Sequence, residues 1–447
     1  MIHRLSIATL LVAIVLSAGC SNSDTGKQHT GPSQPPNATT ADKTTATGPT
    51  TETDSATAAD KLLKQARQLL VAKKPSAAFK TLERCLKINN QLAEAWFLRA
   101  GILADFGEPA KALRSFNRAV TLAPKTPQYR NARGFFLLSR NKLKEAIADF
   151  AEAIKIDPAY PQPYNNRGLA LLAQQEYQQA IDDFSKAIEL DPKYVDAFNN
   201  RGFAYLKVGK FEEARKDFDQ AIALNPKYVN AYNNRAMLHA ERGDLKAAVA
   251  DLTAAIELDR YNPSLYRYRA QAYRELGDDE KARQDLERVT WLAKLERINR
   301  QLARRPQDPE VHIQRAELLA AGGEKDIALA SFQAAEKVAP NHARIFVRRA
   351  EFWLEEGEFD KAIADCDRAI AIEPSIEAYS VRGDAYFQKG DYDKAIGDFQ
   401  RARRIDVTVA EAYWRRAQQH EAAGRKEAAA ADRQRAIELE PSFAERK

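Results

Sequence analysis

Apolar, small and polar positions follow one another along this chain in a helical rhythm that returns every 34 residues. In part of each repeat a large apolar residue stands four positions before a small one, and another stands three positions after it. Tyr164 and Leu171 do this around Gly168, Phe198 and Tyr205 around Gly202, and Tyr379 and Tyr386 around Gly383. At about 100° per residue the two large positions lie within about 20° of each other, so this stretch predicts a helix with one packed face. The small residues are Ala100, Gly134, Gly168, Gly202, Ala236, Ala270, Ala316, Ala350, Gly383 and Ala417. Twelve residues after each comes Ala, from Ala112 to Ala429; Phe or Leu dominates four positions later, and Ala three beyond that. A second helix is predicted there, approaching the first where both are small. Seven residues after the small residue of the first helix stand eight glycines, Asn141 and Gln175. Glycine and asparagine at that point fit a left-handed helix stop. A proline such as Pro158, Pro192 or Pro226 then closes the repeat, because it cannot continue a helix.

Eleven such units can be written from about residue 57 to residue 441, with one residue missing after Pro374 and an irregular seventh unit. The succession of aromatic, small residue, Gly, Ala, Phe, Ala and Pro resembles the tetratricopeptide repeat (TPR). The resemblance implies an all-α solenoid, a right-handed superhelix of antiparallel helix pairs with a concave groove. It implies binding of proteins or peptides without identifying one. The expected organisation is a sub-array of about seven repeats at 58–294, a helical extension at 295–306, a sub-array of about four repeats at 307–441 and a short tail at 442–447.

One position before the small residue is Arg in all ten repeats from Arg99 to Arg416. Sixteen residues later stands Asp in eight of them, and Ser115 or Ser331 in the other two. Such matching predicts structural ion pairs between the helices of a repeat: Arg133 with Asp149, Arg167 with Asp183, Arg201 with Asp217, and Arg235 with Asp251. A ligand-binding ladder of arginines is the alternative.

Offsets −6, −2, +1 and +5 from the small residue cluster between about 100° and 160°, opposite the packed face. Asn166, Asn200 and Asn234 occupy offset −2 in three consecutive repeats, with Asn131, Asn165, Asn199 and Asn233 along the edge. Phe135, Leu169, Phe203 and Met237 occupy offset +1. An asparagine amide both donates and accepts, which suits a peptide backbone. The series is similar to the asparagine ladder in the repeat region of O-linked N-acetylglucosamine transferases, and these residues are the expected peptide-binding site. Solvated asparagines, or asparagines bonded between helices, are the alternative. A carboxylate clamp of the kind found in chaperone-binding repeat domains is not expected in the middle of the array, because Asn131, Phe135, Asp196 and Asn200 supply no cation.

The seventh unit carries twelve extra residues ending at Pro306, and along the lengthened helix Trp291, Leu295, Ile298 and Leu302 form an apolar stripe. Packing against the eighth unit, or a partner or dimer contact, would use it. Beyond this break the open face offers Arg344, Arg348, Glu351, Glu377, Asp384, Glu411 and Arg415 in place of asparagine, so two sub-grooves with different ligands are expected.

The amino terminus adds a location. His3 and Arg4 precede an apolar run and the sequence LSAGC, which resembles a bacterial lipobox with Ser17 at the position where Leu is commonest. Residues 1–19 read as a signal peptide and Cys20 as the lipidation site, against an ordinary cleaved signal or an uncleaved anchor. From Ser21 to Thr57 no large apolar residue occurs, so 20–57 reads as a lipidated cysteine and a disordered Thr/Ser/Pro-rich tether. Cys85 and Cys366 fall in helix slots that are otherwise small or apolar and are expected in the core. A formal charge of +6 without a dense basic run argues against nucleic acid. The six histidines have no metal-ligand spacing, and no nucleophile or phosphate-loop signature stands out. No catalytic residue, metal or cofactor is expected. The leading expectation is a membrane-tethered adaptor in the cell envelope that binds extended segments of other proteins. A structural element that self-assembles through the helix at 290–305, or a regulatory subunit of a separate envelope enzyme, are the alternatives, and the oligomeric state is left open.

Overall fold

The computed structural model describes residues 52–446. Among them are 22 α-helices in sequential pairs, a closing 3-10 turn at Pro441–Glu445 and no strand. Cys20, the signal sequence and most of the tether lie outside the described residues. The chain divides into two compact units, the first to Asp259 and the second from Arg260.

The first unit holds α1 (Glu52–Val71), α2 (Pro75–Ile88), α3 (Ala93–Asp105), α4 (Pro109–Leu122), α5 (Pro127–Leu138), α6 (Leu143–Ile156), α7 (Pro161–Ala173), α8 (Tyr177–Leu190), α9 (Val195–Lys207), α10 (Phe211–Leu224), α11 (Val229–Glu241) and α12 (Leu245–Leu258). The second unit holds α13 (Pro263–Glu275), α14 (Asp279–Arg304), α15 (Pro309–Ala321), α16 (Lys325–Val338), α17 (Ala343–Glu355), α18 (Phe359–Ile372), α19 (Ile376–Gln388), α20 (Tyr392–Arg401), α21 (Val407–Ala422) and α22 (Lys426–Leu439).

The small slot of each first helix is where the pair closes. A Cβ added to Gly134, Gly168, Gly202 or Gly383 would stand 2.6–2.7 Å from a ring carbon of Phe150, Phe184, Phe218 or Phe399, so these rings press directly on glycine. Phe150, Phe184 and Phe218 are fully buried, flanked by the buried alanines of the same second helices. The stop between the helices imposes φ near +72° to +80° on the eight glycines, +57° on Asn141 and +65° on Gln175. Gln175 takes the conformation without being Gly or Asn. It is held there because its N–H reaches the Leu172 carbonyl and that of Glu176 reaches Leu171, the paired bonds that end a helix in this way.

The second helix of the seventh repeat, α14, runs for 26 residues. Leu295 and Ile298 are 6% and 8% exposed, and Leu295 packs with Ala316, Leu319, Ala328 and Phe332 of α15 and α16. The Trp291 indole donates to the Leu318 carbonyl at 2.8 Å, and its ring leaves no room for a Cβ at Gly322. The stripe therefore closes on the eighth repeat. Leu302, the last residue of the stripe, stays half-buried. Cys85 and Cys366 are buried free thiols; burial pushes the Cys366 thiol up to about 12.

Candidate peptide-binding site

The recurrent arginines lie in the seams between second helices. In all eight Arg/Asp repeats the guanidinium donates through Nε and Nη2 to both carboxylate oxygens, at 2.6–2.9 Å. Arg99 and Arg315 donate instead to the Ser115 and Ser331 hydroxyls. Several arginines also reach back one repeat through Nη1: Arg133 to Asn117, Arg201 to Ser185 and Arg235 to Asp219. One arginine thus ties a first helix to the second helices on both sides, and the Asp acceptors are nearly buried.

Most of the asparagines do not present free amides, Asn233 with its buried, unpartnered Oδ1 being the exception. Asn165, Asn166, Asn199, Asn200, Asn233 and Asn234 are only 4–9% exposed. Asn166 donates to Asn131 Oδ1 at 3.0 Å, Asn200 to Asn165 Oδ1 at 3.0 Å, and Asn234 to Asn199 Oδ1 at 2.9 Å. A chain of amides therefore zips first helix to first helix from α5 to α11. The reading of Asn166, Asn200 and Asn234 as an open peptide-binding ladder is corrected: neighbouring first helices approach closely enough for their amides to bond to Asn131, Asn165 and Asn199. Of the ladder, only Asn131 is half-buried, and it also donates to the Tyr160 hydroxyl at 3.4 Å.

The offset +1 residues divide. Phe203, 3% exposed, lies in the main core cluster of the first unit rather than on an open floor, a second correction. Leu169 and Met237 are half-buried against the same cluster. Phe135 lines a cavity of about 650 Å³ reaching toward the second repeat, together with Phe97, Leu98, Gly101, Ile102 and Ala132. In the second unit, the mixed charges of the open face are engaged with one another. Arg348 meets Glu351 and Glu377 at 2.9 and 2.8 Å, Arg344 meets Glu310 at 2.8 Å, Arg404 meets Asp384 at 2.7 Å, and Glu411 holds Arg415 at 2.6 Å.

Tetratricopeptide repeat models match residues 63–127, 137–175, 168–209, 195–228, 218–250, 266–292, 313–375 and 376–407. The chain belongs to the tetratricopeptide repeat family. TPR arrays are in general non-catalytic scaffolds that bind other proteins or peptides. A search of curated proteins finds no match. Among solved structures, the chain is similar to PilF of Pseudomonas aeruginosa at 19% identity, with 49% of this chain and 99% of that one covered and a TM-score of 0.43. It is similar to PilW, a type IV pilus biogenesis factor, at 20% identity, covering 51% and 98% with a TM-score of 0.40. It is similar to YrrB, a TPR protein with an unusual peptide-binding site, at 22% identity, covering 40% and 91% with a TM-score of 0.33.

Two features of this TPR array escaped the sequence reading. Tyr160, Tyr194 and Tyr228 each stand two residues after a closing proline, a 34-residue recurrence that was legible. The Tyr228 hydroxyl donates to Asp196 at 2.5 Å, and burial pushes both Tyr194 and Tyr228 well above the usual phenol range, with the Asp196 charge adding to it. The slots that carry asparagine in repeats four to six carry Phe97, Leu98 and Ala132 in repeats two and three. Comparing those offsets repeat by repeat would have located the cavity.

Proposed function

We propose that this protein is a non-catalytic adaptor, held at a membrane of the cell envelope by a lipid on Cys20 and binding extended segments of envelope proteins along the open face of its first helices. One observation carries the reading. The residues that recur through the array, Arg, Asp and the paired Gly and Phe, are bonded or packed inside the fold, while the open face changes from repeat to repeat. At offset −2 it runs Leu98 and Ala132, then Arg348 and Arg415; at offset +1 it runs Gly101, Phe135, Leu169, then Glu351 and Asp384. A fixed frame with a varied face is what recognition of one irregular partner requires. The membrane part rests on the amino-terminal sequence alone.

A photo-crosslinking residue in place of Leu169 in the full-length protein tests the binding face. Specific capture of one or a few proteins is expected there, and absence of any captured protein above a control carrying the crosslinker at exposed Glu213 refutes the reading. Labelled palmitate should enter the wild-type chain and not Cys20→Ala; equal labelling of both refutes the anchor.

A further inference from the structure

We infer that the cavity around Gly101 is a built anchor pocket for a bulky apolar side chain of a partner peptide. The inference rests on the binding role proposed above and names the chemistry of the partner. Gly101 stands in the middle of α3, at the offset where repeats three to six place Phe135, Leu169, Phe203 and Met237. A glycine inside a helix weakens it and needs a reason. The usual reasons are missing: φ at Gly101 is not positive, and nothing stands within 4 Å of where its Cβ would be, unlike the glycines that lie against Phe rings. What Gly101 opens onto is a cavity of about 650 Å³, walled by Phe97, Leu98, Phe116, Phe135 and Phe136. That size and lining are those of ligand pockets, about 300–1,000 Å³ and mostly apolar with a few polar groups at the edge.

The edge supplies charge. Asp105 and Arg140 line it, both exposed, and neither makes an ion pair among the described residues. An apolar residue flanked by one basic and one acidic residue complements this arrangement. The chain's own tether does not, because residues 21–57 contain no large apolar side chain. The apolar wall with one acidic and one basic group at its edge fits a segment of another protein.

The test uses the full-length protein, wild type and Gly101→Leu, which puts a side chain into the cavity. The probes are short synthetic peptides with a central Phe between Lys and Glu, the same peptides with Ala for Phe, and palmitate. Wild type should bind the Phe peptide, at least about tenfold more tightly than the Ala peptide. Gly101→Leu should lose that binding while its Tm does not fall and rises by about 1 °C, since a helix glycine is removed. Binding of palmitate without any peptide overturns the proposal in favour of a lipid pocket. Binding unchanged in Gly101→Leu overturns it, as does a dimer in wild type that Gly101→Leu dissociates. Binding of neither probe also overturns it. Capture from Leu169 that persists in Gly101→Leu would show that the adaptor role stands even where the anchor pocket fails.

Discussion

The Arg201–Asp217 pair offers the sharpest test of how this scaffold is held together. Arg201 donates to Asp217 at 2.8 and 2.7 Å and to Ser185 at 3.1 Å, and the two charged side chains are 20% and 7% exposed. Burial lifts the Asp217 carboxyl above its ordinary value even though Arg201 pulls it down, so at the carboxylate desolvation outweighs the attraction. The two opposing effects give different costs to different mutations. Arg201→Met leaves a nearly buried carboxylate without its partner, which costs about 3–5 kcal/mol in general. With Arg201 one-fifth exposed, water can reach the vacated space and the lower end, about 3 kcal/mol, applies here. Asp217→Leu leaves Arg201 with Ser185 and water, and costs about 2 kcal/mol. Replacing both removes the unpaired charge altogether, so the double variant should lose about 2 kcal/mol rather than the sum, a coupling of about 3 kcal/mol. Urea denaturation followed by circular dichroism measures the cycle. Amide exchange in α9 and α10 localises the change, because a repeat array responds mainly through nearest neighbours. Losses that add within about 0.5 kcal/mol would refute the pairing argument.

Gly202→Ala should destabilise by about 1–3 kcal/mol despite the better helix propensity of alanine, because the new Cβ meets the Phe218 ring. Adding Phe218→Leu should restore most of it, as Ala236 already faces a repeat with Leu252; thermal melts of the three variants decide. Asn200→Ala should cost about 1–3 kcal/mol by leaving the buried Asn165 Oδ1 without its donor, while capture from Leu169 is unchanged; loss of capture with an unchanged melt would restore the asparagines as ligand contacts. Tyr194 and Tyr228 are held neutral by burial above the ordinary value of 10.0, so the stability they contribute is complete below pH 10 and falls as pH rises beyond it. A spectrophotometric titration should show these two phenols ionising only together with alkaline unfolding; reversible ionisation near pH 10 in the folded protein would refute this.

The frame of the molecule is written locally. The slots that hold Gly168, Gln175, Ala180, Phe184 and Pro192 lie within one repeat, and each acts on residues a few tens of positions away at most. Helix pairing, helix stops and the partners of Arg167 and Arg201 can therefore be counted along the chain. Helical periodicity also separates a packed face from an opposite one. It does not say how near the next first helix stands on that opposite side. The separation is set by how successive pairs stack, and it puts Asn166 within hydrogen-bonding distance of Asn131, buries Phe203, and leaves the space beside Gly101 open. An asparagine at a given angle looks the same in sequence whether a neighbour or a ligand accepts from it. Stacking decides which, because the amide bonds whatever lies within about 3 Å. For the middle repeats that is another asparagine, and for the second and third repeats a pocket opens beside Gly101.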